Sequence, residues 1–153
     1  MECDGCTLCC MVLPVPWMNK EAGDWCVNCD VGVGCSIFGD SITDECRKFQ
    51  CAYNQIDNAP IELRPDKCKV IFEKVDDSLF LGTMHPEYNE AYKDKIIQRE
   101  LMTFFDRGFS VVINSFTIEH PVIYPAKNKT MAEVWSSLQK QSKEHCDSAI
   151  IHN

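Results

Sequence analysis

Nine of the chain's 11 cysteines fall in its first third, at Cys3, Cys6, Cys9, Cys10, Cys26, Cys29, Cys35, Cys46 and Cys51. No other feature restricts the fold as much, because sulfurs this dense are normally cross-linked or bound to metal. Packing does not require them, since Val, Leu or Ala fill a buried apolar site without the risk of oxidation. Compartment separates the two chemistries. The chain begins Met-Glu-Cys, with no basic stretch leading into an apolar run and a small-residue cleavage site. The expectation is an unexported, cytoplasmic protein whose thiols stay reduced. Metal ligation is then the better reading.

Spacing supplies the coordination argument. Cys-x2-Cys places two thiolates on one tight turn, near enough to share an ion, and Gly5 gives the first such turn its backbone freedom. Cys3-x2-Cys6-x2-Cys9 extends this to three ligands and matches the first three positions of a ferredoxin-type iron–sulfur run. The fourth ligand of that run stands further on and is followed by proline. Here Cys10 comes at once and Pro14 lies too far away, so the match is partial. Adjacent side chains diverge in most backbone conformations. Cys9 and Cys10 are therefore expected to serve two different ions, unless one of them bridges. Cys26-Val27-Asn28-Cys29 is a second Cys-x2-Cys pair, half of a common zinc site.

The order Cys3-x2-Cys6-x2-Cys9-Cys10, Trp25-Cys26, Gly34-Cys35-Ser36-Ile37-Phe38 and Cys46-Arg47-Lys48-Phe49-Gln50-Cys51 resembles the CxxCxxCC cysteine-cluster family. These are the YkgJ-type proteins, described as zinc- or iron-chelating. The resemblance covers residues 1–72, where Leu63-Arg64-Pro65-Asp66-Lys67-Cys68 is also similar to a downstream segment of some members. The family's cysteines fall on Cys3, Cys6, Cys9, Cys10, Cys26, Cys35, Cys46 and Cys51. Members usually carry Arg-Pro shortly before the Cys-Arg pair, where this chain has Ser41-Ile42. The resemblance implies a metal-binding protein with those cysteines as ligands, and the second Cys-x2-Cys pair adds Cys29. So many thiolates exceed the needs of one tetrahedral ion. More than one zinc or iron ion is expected, or an iron–sulfur cluster with bridging sulfur. Spacing alone does not choose the metal.

A chain of 153 residues, 45% of them hydrophobic, suits one domain or one domain plus a small module. A net charge of −8 without any Lys/Arg cluster argues against nucleic acid and against an anionic membrane surface. No apolar run approaches the roughly 18 residues of a membrane span. The expected fold is α+β: a cysteine module over 1–55, a linker at 56–68, and a small α+β part over 69–153 packed on the first as one domain. Within the module, Pro14 and Pro16 predict an extended stretch over 11–25, with Trp17, Trp25 and Phe38 shielding the sulfurs. Ser41 to Gln50 reads as a short helix, capped by Ser41 or Thr43, that carries Cys46 and ends at Cys51. Arg47 reads as a solvated side chain rather than a partner of the cluster.

Beyond the linker, 69–75 and 78–84 form a hairpin turning at Asp76-Asp77, and Pro86 starts a helix that runs to Phe105. A strand follows at 109–114 and a short one at 121–124. The last helix starts at the capping box Thr130-Met131-Ala132-Glu133, with Met131, Val134, Trp135 and Leu138 on its apolar face.

Cys68 reads as a buried structural thiol rather than a further ligand. His145-Cys146 falls at a fraying terminus, and His85 and His120 each precede a proline in a turn. There is no Gly-rich phosphate loop, serine elbow or dinucleotide fingerprint, so no catalytic residue and no organic cofactor is assigned. Two function classes follow. The first is a metal-binding protein whose later part completes the fold or presents a surface to a protein partner. The alternative is an iron–sulfur enzyme, or a redox or group-transfer protein, that uses the cluster; a similar cluster is associated with a flagellin lysine methylase, in a longer chain. Closed coordination by four sulfurs leaves no position for substrate or water, which favours binding over catalysis and argues against a hydrolase.

Overall fold

Val70-Ile71-Phe72, Leu79-Phe80-Leu81 and Val111-Val112-Ile113 are runs of branched and aromatic residues. Such runs make strands, and because successive side chains leave a strand on opposite faces, both faces of the resulting sheet must be covered. The computed structural model describes residues 5–38, 44–116 and 120–150, with 44–45 and 141–150 by their backbone alone. The amino-terminal part contains a one-turn helix α1 (Cys9–Val12), a small hairpin of β1 (Cys29–Asp30) and β2 (Gly34–Cys35), and a short helix α2 (Asp44–Lys48). A helical turn α3 (Pro65–Cys68) leads into β3 (Val70–Asp76) and β4 (Leu79–Met84). Helix α4 (Lys95–Asp106), strands β5 (Ser110–Asn114) and β6 (Val122–Tyr124) and helix α5 (Met131–Ile150) follow. The fold is α+β.

The larger sheet has the order β3-β4-β5-β6, with β4 and β5 parallel and the other neighbours antiparallel. Parallel neighbours need a crossover, and α4 supplies it. One face gathers Val70, Phe72, Met84, Val111 and Ile113 under Ile97, Leu101 and Phe104 of α4. The Phe80 ring stacks on Phe104 at 4.5 Å between centroids. Gly82 lies on this face because a Cβ there would come within 2.7 Å of the Phe72 ring. The opposite face is shared. Val134 of α5 covers Leu79 and Val112, whereas Ile71 packs with Leu8, Met11 and Val12 of the cysteine part. The 56–68 stretch is ordered into a 3-10 turn (Ile61–Leu63) and α3, with Leu63, Pro65 and Cys68 buried.

Several local expectations need correction. Met11 and Val12 are helical rather than extended, and the spacing of Leu8, Met11 and Val12 turns one side of that helix to the sheet. Pro16 opens a 3-10 turn (Pro16–Met18), a position where its missing N–H costs nothing. Pro86 does not start α4. The intervening chain is taken up by turns and a 3-10 segment (Ala91–Lys93), and Asp94 caps the helix by accepting from the Ile96 N–H at 2.8 Å. The capping box of α5 forms as the sequence suggests, with the Thr130 N–H donating to Glu133 Oε2 at 2.7 Å and the Glu133 N–H to Thr130 Oγ1 at 3.3 Å. Val134 and Leu138 of the expected stripe pack on the sheet, whereas Met131 and Trp135 are exposed. Among the described residues no helix is long and apolar enough to cross a membrane.

Candidate metal centre

The cysteine loops are joined by backbone contacts that small residues permit. Gly5 has a φ of 79°, and a Cβ on it would sit 2.6 Å from the Gly32 carbonyl oxygen. Only glycine allows the amino-terminal turn to approach the β1–β2 turn so closely. The Gly32 N–H in turn donates to Thr7 Oγ1 at 3.2 Å. The Cys26 N–H donates to the Cys10 carbonyl at 3.0 Å, and the Cys29 N–H closes its turn onto the Cys26 carbonyl at 3.0 Å. Cys29 and Cys35 are register partners in the hairpin.

These contacts bring Thr7, Cys9, Cys10 and Cys29 close enough to shift one another's ionisation. Hydrogen bonding with Cys9, with burial second, raises the Cys10 thiol far above the ordinary thiol range. Burial first, then the charge of Cys10, pushes Cys29 up to about 12. Cys9 and Cys10 are neighbours in α1 and interact through their side chains. Cys6, Cys9 and Cys51 lie with Phe49 at the edge of the Leu8–Ile71 cluster, and Cys51 also bridges to Glu73 of β3. Cys26 and Cys46 lie within electrostatic reach of Lys20.

Cys6, Cys9, Cys10, Cys26, Cys29, Cys35, Cys46 and Cys51 are all partly buried, and no disulfide links any described cysteine. Cys3 and the proposed caps Ser41 and Thr43 lie outside the described residues, as do the side chains of His145 and Cys146. Among the described residues, no three Cys, His, Asp or Glu side chains converge as ligands round an ion would.

Lys20 escaped the sequence reading. It is only 8% exposed, and its ammonium donates to the Met11 carbonyl at 2.8 Å, to the Leu13 carbonyl and to the Glu21 carbonyl at 3.0 Å. Asn19, in the left-handed region at a φ of 50°, completes the tight loop that turns Lys20 inward. The end of α1 leaves carbonyls without helical partners, and the ammonium satisfies two of that stretch. Burial pulls its pKa down, while the sulfur of Cys26, the Asp24 carboxylate and the sulfur of Cys10 pull it up. The available signal was isolation: Lys20 is the first Lys or Arg of the chain, and the next is Arg47.

Trp17, Trp25 and Phe38 do not shield the sulfurs. They are 62%, 39% and 79% exposed, because the short loops that carry them have no second layer to pack against. Cys68 is a buried thiol that donates to the Leu63 and Val70 carbonyls at 3.4 and 3.2 Å, and burial pushes it up to about 11. His85 accepts the Glu87 N–H at 3.2 Å and meets the Tyr88 ring edge-on, the arrangement of a turn. His120 is exposed. A cavity of about 20 Å³ beside Cys51, Leu63, Phe72, Glu100 and Phe104 has room for a single water and no substrate. No family model, no curated protein and no solved structure matches the chain.

Proposed function

We propose that this protein binds zinc or iron through the thiolates of its amino-terminal part, in the cytoplasm, as its resemblance to the CxxCxxCC cysteine-cluster family implies. The ligand set is Cys3, Cys6, Cys9, Cys10, Cys26, Cys29, Cys35, Cys46 and Cys51, enough for more than one ion. The observation that carries the reading is the set of partly buried, disulfide-free cysteines gathered in the amino-terminal part with the buried Lys20 ammonium. Thiols are weak hydrogen-bonding groups, so a group of them adds little to a core that aliphatic side chains would fill better. As thiolates they are soft donors suited to zinc and iron. A divalent ion held by four thiolates keeps a net negative charge, and a fixed ammonium alongside offsets it.

Metal uptake would draw these thiols together, coupling binding to local ordering. No catalytic step is assigned. Elemental analysis and absorption spectra of protein purified without oxygen test the reading. Bound zinc or iron that Cys10→Ser and Cys29→Ser reduce and Cys68→Ala leaves in place is the expected result. A folded protein that takes up neither metal under reducing conditions overturns it. Iron accompanied by acid-labile sulfide would move the function towards redox chemistry.

A further inference from the structure

The cysteine part carries exposed apolar side chains that thiolate coordination of a metal would not explain. Val27 is 87% exposed, Val33 71%, Val31 57% and Trp25 39%, all within one nine-residue stretch around the β1–β2 hairpin. Trp17 is 62% exposed, and its neighbour Met18 is tied to this stretch by its sulfur, which accepts from Asn28 Nδ2 at 3.9 Å. Other exposed apolar residues, such as Ile61, Met102 and Met131, are scattered singly over different elements, which is ordinary. Concentration on one short hairpin is not ordinary, and marks surfaces that meet a partner.

Charge specifies the partner. Between Lys20 and Arg47 the charged residues are Glu21, Asp24, Asp30, Asp40, Asp44 and Glu45, with no Lys or Arg among them. The single cation before Arg47, Lys20, is held inward by main-chain carbonyls, with the Asp24 carboxylate within its electrostatic reach. Glu21, Asp24 and Asp30 are exposed beside the apolar residues. Between Trp17 and Val33, therefore, exposed apolar side chains alternate with exposed carboxylates and no exposed cation.

We infer that the Trp17–Val33 face docks a basic, apolar segment of a protein partner, an amphipathic stretch whose Lys or Arg residues flank its hydrophobic side. Exposed tryptophan and aliphatic side chains supply the desolvated centre, and the carboxylates steer and orient the cationic partner. The inference does not depend on what the thiols hold.

The test titrates the intact chain, purified anaerobically with whatever metal it carries, with a helical Leu/Lys peptide and with its Leu/Gln counterpart. Tryptophan fluorescence reads binding. The Leu/Lys peptide is expected to bind saturably, with a blue shift that is lost at about 0.5 M salt, where screening shortens charge attraction to a few ångströms. Val27→Asp with Val33→Asp should weaken it by about tenfold or more, as loss of buried apolar anchors does. Glu21→Lys with Asp30→Lys should weaken it comparably, whereas Met102→Asp on α4 should leave it unchanged. Melting curves and metal content of each variant show that the fold is kept, and the charge-reversed pair tests the face without touching its apolar residues. Equal binding of the Leu/Gln peptide, equal loss in Met102→Asp, or no loss in the face variants overturns the inference. So does self-association of the chain, or capture by zwitterionic vesicles, in place of peptide binding.

Discussion

At the scale of single residues, two buried groups carry most of the consequence. Lys20→Met would take the ammonium from the Leu13 carbonyl, while the Met11 and Glu21 carbonyls keep the Gly23 and Asp24 N–H groups at 3.0 and 3.5 Å. An unsatisfied buried carbonyl costs about 1–3 kcal/mol, and a loss in that range should be read as a lower denaturation midpoint. Lys20→Arg should not restore it, because a planar guanidinium fork does not fit three carbonyls converging on a point. Cys68 predicts a pH dependence. Its thiol is held at about 11 in the folded protein against an ordinary value of 9.0, because burial disfavours the thiolate. The folded state then keeps a proton that the unfolded chain gives up. The stabilisation is present below pH 9.0 and is lost as pH rises through about 11, by at most about 3 kcal/mol. Denaturation of the parent and Cys68→Ala at both ends of that window isolates the contribution, which should vanish in the variant.

At the scale of elements, the informative positions are the joints. Gly5→Ala adds a Cβ where the Gly32 carbonyl oxygen stands 2.6 Å away, at a φ of 79° that disfavours side chains. The amino-terminal turn must then part from the β1–β2 turn. Metal affinity should fall markedly while the circular dichroism of the larger sheet persists; unchanged affinity would show that the turn contact does not position the thiols. Gly82→Ala acts elsewhere, pressing a methyl into the Phe72 ring, and should cost about 1–3 kcal/mol with the cysteine part's metal content unaltered. Thr130→Ala removes the hydroxyl that caps α5, and a cap of this kind is worth about 1 kcal/mol in thermal or denaturant unfolding.

At the scale of the whole molecule, the two parts draw their stability from different sources. The sheet has α4 on one face and buries Val70, Met84, Ile97, Val111 and Ile113 completely. Among the described residues, the cysteine part sets Leu8, Met11 and Val12 against Ile71, with Leu13 and Phe49 at the edge, and its loops expose large side chains such as Trp17 and Val27. If metal supplies the missing folding energy, chelation under reducing conditions should abolish hydrogen-exchange protection over residues 5–38. The protection of β3 to β5 and α4 should be retained. Protection in the cysteine part that survives chelation would mean that the ion contributes little to its fold.

By itself the sequence determined what depends on neighbours along the chain. Alternating branched residues specified β3, β4 and β5, Thr130 and Glu133 specified the start of α5, and the repeated Cys-x2-Cys spacing specified tight turns rich in sulfur. Each rests on backbone geometry within a few residues. The tertiary structure decided what depends on which surfaces meet. Asp94 rather than Pro86 begins α4 because the chain between them is spent in turns. Trp17 and Trp25 face outward because no layer covers them. Lys20 is buried because a tight loop aims it at carbonyls left over from α1. A composition that shows one lysine among acids cannot reveal this, since the three oxygens that hold it are main-chain atoms and leave no mark on side-chain identity.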